Sequence, residues 1–87
     1  MKRLGIVADV SYRGTLVIRA ETAPRTGEEV FTSEGMHIGR VEKVFGPVSR
    51  PYVSVRPTSR KQKLIGIIGK ELYLEEWGRD IAEEEEG

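Results

Sequence analysis

At 87 residues, the chain is long enough for one small domain with a modest hydrophobic core. It has no cysteine and a single histidine, which excludes disulfides, thiolate metal sites and a cluster of histidine metal ligands. The formal net charge is zero, but residues 1 to 70 carry a charge of +7 and residues 71 to 87 carry −7, which indicates an anionic partner, a tail that shields the basic body, or simply a solubility device.

Six short runs of alternating or β-branched residues follow one another along the chain, separated by turns rich in glycine and proline. A period of two is typical of strands that bury one face. The first run predicts that Leu4, Ile6, Ala8 and Val10 share one face of a strand. The expected strands are Arg3–Val10, Thr15–Ala20, Glu29–Thr32, Met36–Phe45, Tyr52–Arg56 and Lys70–Glu75.

The fourth of these runs departs from strict alternation, because Ile38, Val41 and Val44 are three residues apart. A helix is disfavoured there by Gly39 and by the many β-branched residues. We therefore expect a β-bulge near Arg40, where one extra residue switches the side-chain parity of the strand and helps a sheet to curl.

Six short strands in so small a chain favour an all-β fold, a six-stranded antiparallel β-barrel, because closure removes exposed strand edges. We expect this barrel to occupy residues 1–76 and an acidic, mobile C-terminal tail to occupy residues 77–87, where Glu83 to Glu86 form a run of like charge. The side chains predicted to be mostly buried are Leu4, Ile6, Leu16, Ile18, Val41, Val53, Val55 and Leu72.

The segment that joins the fourth and fifth strands contains Gly46, Pro47 and Pro51 and is predicted to be stiff. Proline has a fixed φ and no N–H group, so it ends one strand and fixes the entry into the next. Such a loop presents Phe45, Val48 and Tyr52 close together, as rigid apolar anchors for a protein partner.

Catalytic machinery is not evident in the sequence. His37 lies between Met36 and Ile38 in a strand and is expected to be a surface or core-edge residue. The run Gly66–Lys70 lacks the glycine spacing and the final hydroxyl residue of a phosphate loop, and we interpret it as a turn. We therefore expect no enzyme activity, no metal and no cofactor.

A basic stretch begins at the last residue of the fifth strand and is a candidate for contact with phosphate groups. Its candidate residues are Arg56, Arg60, Lys61 and Lys63. The sequence contains no recognised RNA-binding signature. The same cations are also suited to contact with an acidic protein surface.

The run Val44-Phe45-Gly46-Pro47-Val48, followed after two residues by Pro51-Tyr52-Val53 and then by Arg56-Pro57, resembles the signature of the GAR-type subunit of box H/ACA ribonucleoproteins in its archaeal form. The lead-in Ile38–Val41 also fits, and the resemblance extends over about residues 1 to 75. Lys43 departs from the family pattern, which is usually acidic at this position.

This resemblance implies a small barrel, similar to those of translation factors, that acts as a noncatalytic subunit of an RNA-guided pseudouridine synthase complex. It would bind the dyskerin-type synthase directly and promote loading and release of substrate RNA in the modification of rRNA. The guide RNA, the kink-turn-binding protein and the small third core subunit would be indirect partners. The residues expected to bind the synthase are Val44, Phe45, Gly46, Pro47, Val48, Arg50, Pro51 and Tyr52.

An alternative function is that of a barrel in ribosome maturation or translation that binds RNA or ribosomal protein directly.

The chain has no apolar run near the ~20 residues that a membrane span requires and no signal-peptide pattern. We therefore expect a soluble, intracellular protein, and the resemblance implies the cytoplasm of an archaeal cell.

Overall fold

The computed structural model describes residues 1–58 and 64–75, and these residues form a closed β-barrel of six antiparallel strands. The ring order is β1-β2-β5-β4-β3-β6. A short 3₁₀ helix, Leu64–Ile67, precedes β6. The strands are β1 Lys2–Val10, β2 Leu16–Ala20, β3 Glu29–Thr32, β4 His37–Phe45, β5 Tyr52–Pro57 and β6 Glu71–Leu74. The predicted all-β barrel and its strand number are confirmed.

The core lies inside the ring and is built from one face of every strand. Ile67 of the 3₁₀ helix also joins it. Burial of each leucine, isoleucine or valine side chain contributes about 1.5–3 kcal/mol relative to exposure. Seven of the eight predicted core residues are buried: Leu4, Leu16, Ile18, Val41, Val53, Val55 and Leu72.

Ile6 is the exception, because its side chain lies on the outside and is 39% exposed. The register explains the error. Arg3 pairs with Tyr73 and Gly5 with the adjacent Leu72, so Leu4 is an extra residue in β1. Such a bulge reverses the side-chain parity of the strand, which turns Val7 inward and Ile6 outward.

β4 has two irregularities of the same kind, one on each side of Arg40. Ile38 is the extra residue opposite β3, and Glu42 is the extra residue opposite β5. They fit the bulge expected near Arg40. Because β1 and β4 are the longest strands, at nine residues each, bulges within them allow the sheet to bend around the core and close.

The proposed boundary at residue 76 and the acidic tail 77–87 lie outside the described residues, as do Arg60, Lys61 and Lys63. Within residues 1–58 and 64–75, no helix has the length and apolar character needed to cross a membrane.

Candidate interaction surface

The loop between β4 and β5 is restrained by its local backbone geometry. Phe45 and Tyr52 are the last paired residues of the two strands. Gly46 has a φ of 89°, which residues with a side chain rarely adopt, and a Cβ atom there would lie 3.1 Å from Cδ2 of Tyr52. Arg50 donates its backbone N–H to the Pro47 carbonyl at 3.3 Å, so residues 47–50 form a turn.

Phe45 and Tyr52 form an aromatic pair at the base of this loop, and Val48 lies within the turn of residues 47–50. The rings of Phe45 and Tyr52 stack with centroids 5.8 Å apart and planes inclined by 23°. The Lys43 ammonium lies 5.6 Å from the Phe45 centroid, close enough for a cation–π interaction. Val48 is 98% exposed and Phe45 41% exposed. The loop therefore presents apolar area on a support that loses little conformational freedom when a partner binds.

The eight residues expected to bind the synthase differ in exposure. Val44 and Tyr52 are half-buried, and Val44 packs against the core. Pro51 is buried, and its carbonyl accepts a hydrogen bond from the Ala20 N–H at 3.0 Å, which ties the loop to β2. The exposed members of the set are Phe45, Gly46, Pro47, Val48 and Arg50.

The outer face of β2, β5 and β4 is rich in cations. Arg56 is exposed and lies opposite Arg40 in the β4–β5 pairing, and Arg19 lies opposite Tyr52 in the β2–β5 pairing. Like charges directly opposite each other destabilise a sheet. Glu29 compensates Arg40 at 2.9 Å. Arg40 was absent from the sequence-based candidates, because its neighbour across the sheet is sixteen positions further along the chain.

Glu42 is a carboxylate on β4 that lies beside Arg56. Ser54 donates its hydroxyl to Glu42 Oε1 at 3.0 Å, and an Arg56 guanidinium nitrogen lies 3.9 Å from Oε2. Ser54 is only 6% exposed, so this hydrogen bond satisfies the one buried polar side chain among the described residues. Both interactions hold the carboxylate against the sheet.

An open groove with a volume of about 340 Å³ runs across the same outer face. The β1–β2 turn and β2 supply Ser11, Arg13, Thr15 and Val17; β5 supplies Ser54; β4 supplies Glu42, Lys43 and Phe45. No local sequence motif marks it, since it forms only when β2 and β4 flank β5.

His37 lies away from this groove and has an ordinary structural environment. Its Nε2 contacts a Glu29 carboxylate oxygen, its Nδ1 lies 3.3 Å from Thr58 Oγ1, and its ring lies 5.3 Å from that of Phe31. It is half-buried, as expected for a core-edge residue. In the part of the chain that the structure describes, no three potential metal-ligating side chains come together.

Comparison with known proteins places these features in a family context. The family model described as the Gar1/Naf1 RNA binding region matches residues 2–79, which covers the whole barrel. An uncharacterized protein of Methanothermobacter thermautotrophicus is 36% identical over 86 residues, spanning 91% of this chain and 94% of the relative. The family description names RNA binding, to which the sequence motifs alone gave little support.

Proposed function

Because this chain belongs to the Gar1/Naf1 RNA-binding family, we propose that it is a noncatalytic subunit of a box H/ACA ribonucleoprotein of the archaeal type. In this role it binds the dyskerin-type pseudouridine synthase and promotes loading and release of substrate RNA. The chain is then an accessory protein in rRNA pseudouridylation. The kink-turn-binding protein, the small third core subunit and the guide RNA are its indirect partners.

The observation that carries this proposal is the exposed apolar tip of the β4–β5 loop. Val48 is almost fully exposed, and the stacked rings of Phe45 and Tyr52 lie at the base of the same loop. Interface anchors are commonly aromatic or apolar side chains on rigid supports. Pro51 contributes indirectly, since its buried position fixes the direction in which the loop leaves the barrel.

A charge placed at the tip tests this assignment. Val48→Asp should weaken binding to the synthase by about 2 kcal/mol or more, roughly thirtyfold in affinity, because a carboxylate would be desolvated at the contact. Since Val48 has no contact with the core, the melting temperature should stay close to that of the unaltered protein. Calorimetric titration against the purified synthase measures the first quantity, and circular dichroism the second.

Ser49→Asp provides a matched control, as it adds the same charge to the neighbouring position without removing an apolar side chain. Its effect should be smaller than that of Val48→Asp. Multiple-turnover modification should fall with Val48→Asp to the level without this subunit, while single-turnover chemistry changes less. Unaltered affinity in Val48→Asp would move the docking surface elsewhere on the barrel.

The alternative, a barrel of ribosome maturation that binds RNA directly, gains support from the family's RNA-binding description. A pull-down from nuclease-treated extract separates the two functions. Retention of the synthase after nuclease treatment supports the subunit assignment. Loss of every partner on nuclease treatment supports the alternative.

A further inference from the structure

We infer that the acidic segment 76–87 folds back over the outer face of β2, β5 and β4 and covers the cations there. This goes beyond docking on the synthase, because it assigns an occupant to the surface beside Val48, and that occupant is part of the same chain. Three features support it: cations that lack a salt bridge, the charge and length of the segment, and the end of the barrel at which β6 finishes.

Four exposed cations on or beside this face take part in none of the salt bridges within residues 1–58 and 64–75. On the β1–β6 side of the ring, in contrast, Arg3 bridges the carboxylates of Glu21 and Glu71. The positive charge of the β2–β5–β4 face is therefore available to an anion. The four cations are Arg13 in the β1–β2 turn, Arg19 on β2, Lys43 on β4 and Arg50 in the β4–β5 loop.

Two carboxylates on or beside this face already have local partners. Glu42 accepts a hydrogen bond from the Ser54 hydroxyl and lies 3.9 Å from Arg56. Asp9, opposite Val17 in the β1–β2 pairing, accepts the Val10 N–H at 2.7 Å. Neither forms a salt bridge with one of the four cations within the part of the chain that the structure describes.

Residues 76–87 supply the opposite charge. They comprise six acids and one arginine, and Glu83 to Glu86 follow one another directly. Attraction between exposed charges extends over about a Debye length, ~10 Å at 0.1 M salt. Because the segment is tethered to the barrel, its effective concentration at the face is on the order of millimolar. An unlinked anion must exceed that concentration or bind more tightly.

The strand directions bring the segment to the correct end of the barrel. β6 is antiparallel to β1, β1 to β2, β2 to β5 and β5 to β4. The last residues of β6 and β2 therefore lie at the same end of the barrel as the β4–β5 loop, so Arg19 and Arg50 lie at the end where β6 finishes.

The segment is also long enough to reach this face. In the ring, β2 and β4 are each two strands from β6. Two strand spacings of ~4.8 Å amount to about 10 Å. Twelve extended residues span up to roughly 40 Å. Exposed ion pairs are individually weak, so such a cover can be displaced by a partner and changes the melting temperature little. Proximity is the better measurement.

The absence of cysteine from the chain allows one spin label to be placed in the segment. Ala82→Cys, labelled with a nitroxide in the otherwise unaltered full chain, broadens the backbone amide signals that it approaches. At ~0.1 M salt, the amides of Arg19, Lys43 and Arg50 should lose more intensity than those of β1 and β3, although β1 and β3 are the immediate neighbours of β6. At ~1 M salt, where the Debye length is about 3 Å, the intensity should return.

Charge variants of the labelled chain test the cause. Arg19→Gln with Lys43→Gln should abolish the preferential loss of intensity on β2, β5 and β4. Arg25→Gln with Lys70→Gln is the matched control, since it removes two exposed cations that lie outside these three strands, and it should preserve the pattern. Circular dichroism verifies that both double variants are folded. Inorganic polyphosphate should restore the lost intensity, because it competes for the same cations.

The largest loss of intensity at β1 and β3 would overturn the inference, because it is the result expected of a segment with no preferred face. Persistence of the pattern in the Arg19→Gln, Lys43→Gln variant, at ~1 M salt or with polyphosphate would equally overturn a cover held by charge. Synthase docking through Val48 is measured with a different variant, so the two proposals fail separately.

Discussion

At the scale of single residues, a local hydrogen bond alters the ionisation of Tyr73. The Tyr73 hydroxyl donates a hydrogen bond to Glu71 Oε1 at 2.9 Å, and this bond raises the pKa of Tyr73 above its ordinary value of 10.0. Because the folded-state pKa is raised, the stabilisation is fully present below pH 10 and is lost as pH rises through the folded-state pKa.

Glu71→Gln should therefore shift the pKa of Tyr73 back down, as it removes both the acceptor charge and its Coulombic contribution. Nuclear magnetic resonance of the Tyr73 ring across alkaline pH measures this. Glu21→Gln is the control, since Glu21 also raises the pKa of Tyr73 but only from a distance, through charge, and contributes least. A larger shift from Glu21→Gln than from Glu71→Gln would show that the hydrogen bond is not the main cause.

At the scale of elements, β4 and β5 approach so closely that one position admits only glycine. A Cβ atom on Gly39 would lie 2.1 Å from the Arg56 carbonyl oxygen, which belongs to the backbone and cannot rotate away. Gly39→Ala should destabilise the protein by about 1–3 kcal/mol, as in other overpacked cores. Chemical denaturation measures this free energy. Gly66→Ala is the control and should have little effect, because its added methyl group would meet no atom of the described residues within 4 Å. Equal stability of both variants would mean that the two strands can separate without cost.

At the scale of the whole molecule, the ring closes within residues 2 to 74, because β6 pairs with both β1 and β3. Deletion of Ala82 to Gly87 removes four glutamates but no strand pairing of the barrel. The melting temperature should therefore change by less than about 4 °C, the equivalent of roughly 1 kcal/mol for a domain of this size. Differential scanning calorimetry of the truncated chain measures the change, and a large drop would assign the acidic segment a structural role.

The sequence predicted side-chain burial correctly where a strand keeps strict alternation. It was less informative where the pairing with a neighbouring strand determines which side chains point inward. Val53 and Val55 of β5 are buried as their alternation predicts. Ile6 is not, because the bulge at Leu4 depends on how β1 meets β6, and that register is set by contacts distant in sequence. The loop residues 45–52 were recognisable from proline, glycine and aromatic spacing alone. The groove was not, because it joins residues 11–17 to residues 42–54 through the order of strands in the ring.

The closed ring also limits the ways in which a partner could bind this protein. Each of the six described strands has a neighbour on both sides in the ring, so none of them offers a whole free edge to which an extended peptide could add a strand through backbone hydrogen bonds. Recognition then depends on side chains and loop tips. Since these can be exchanged without altering the ring, the same scaffold can acquire a new partner by a few substitutions.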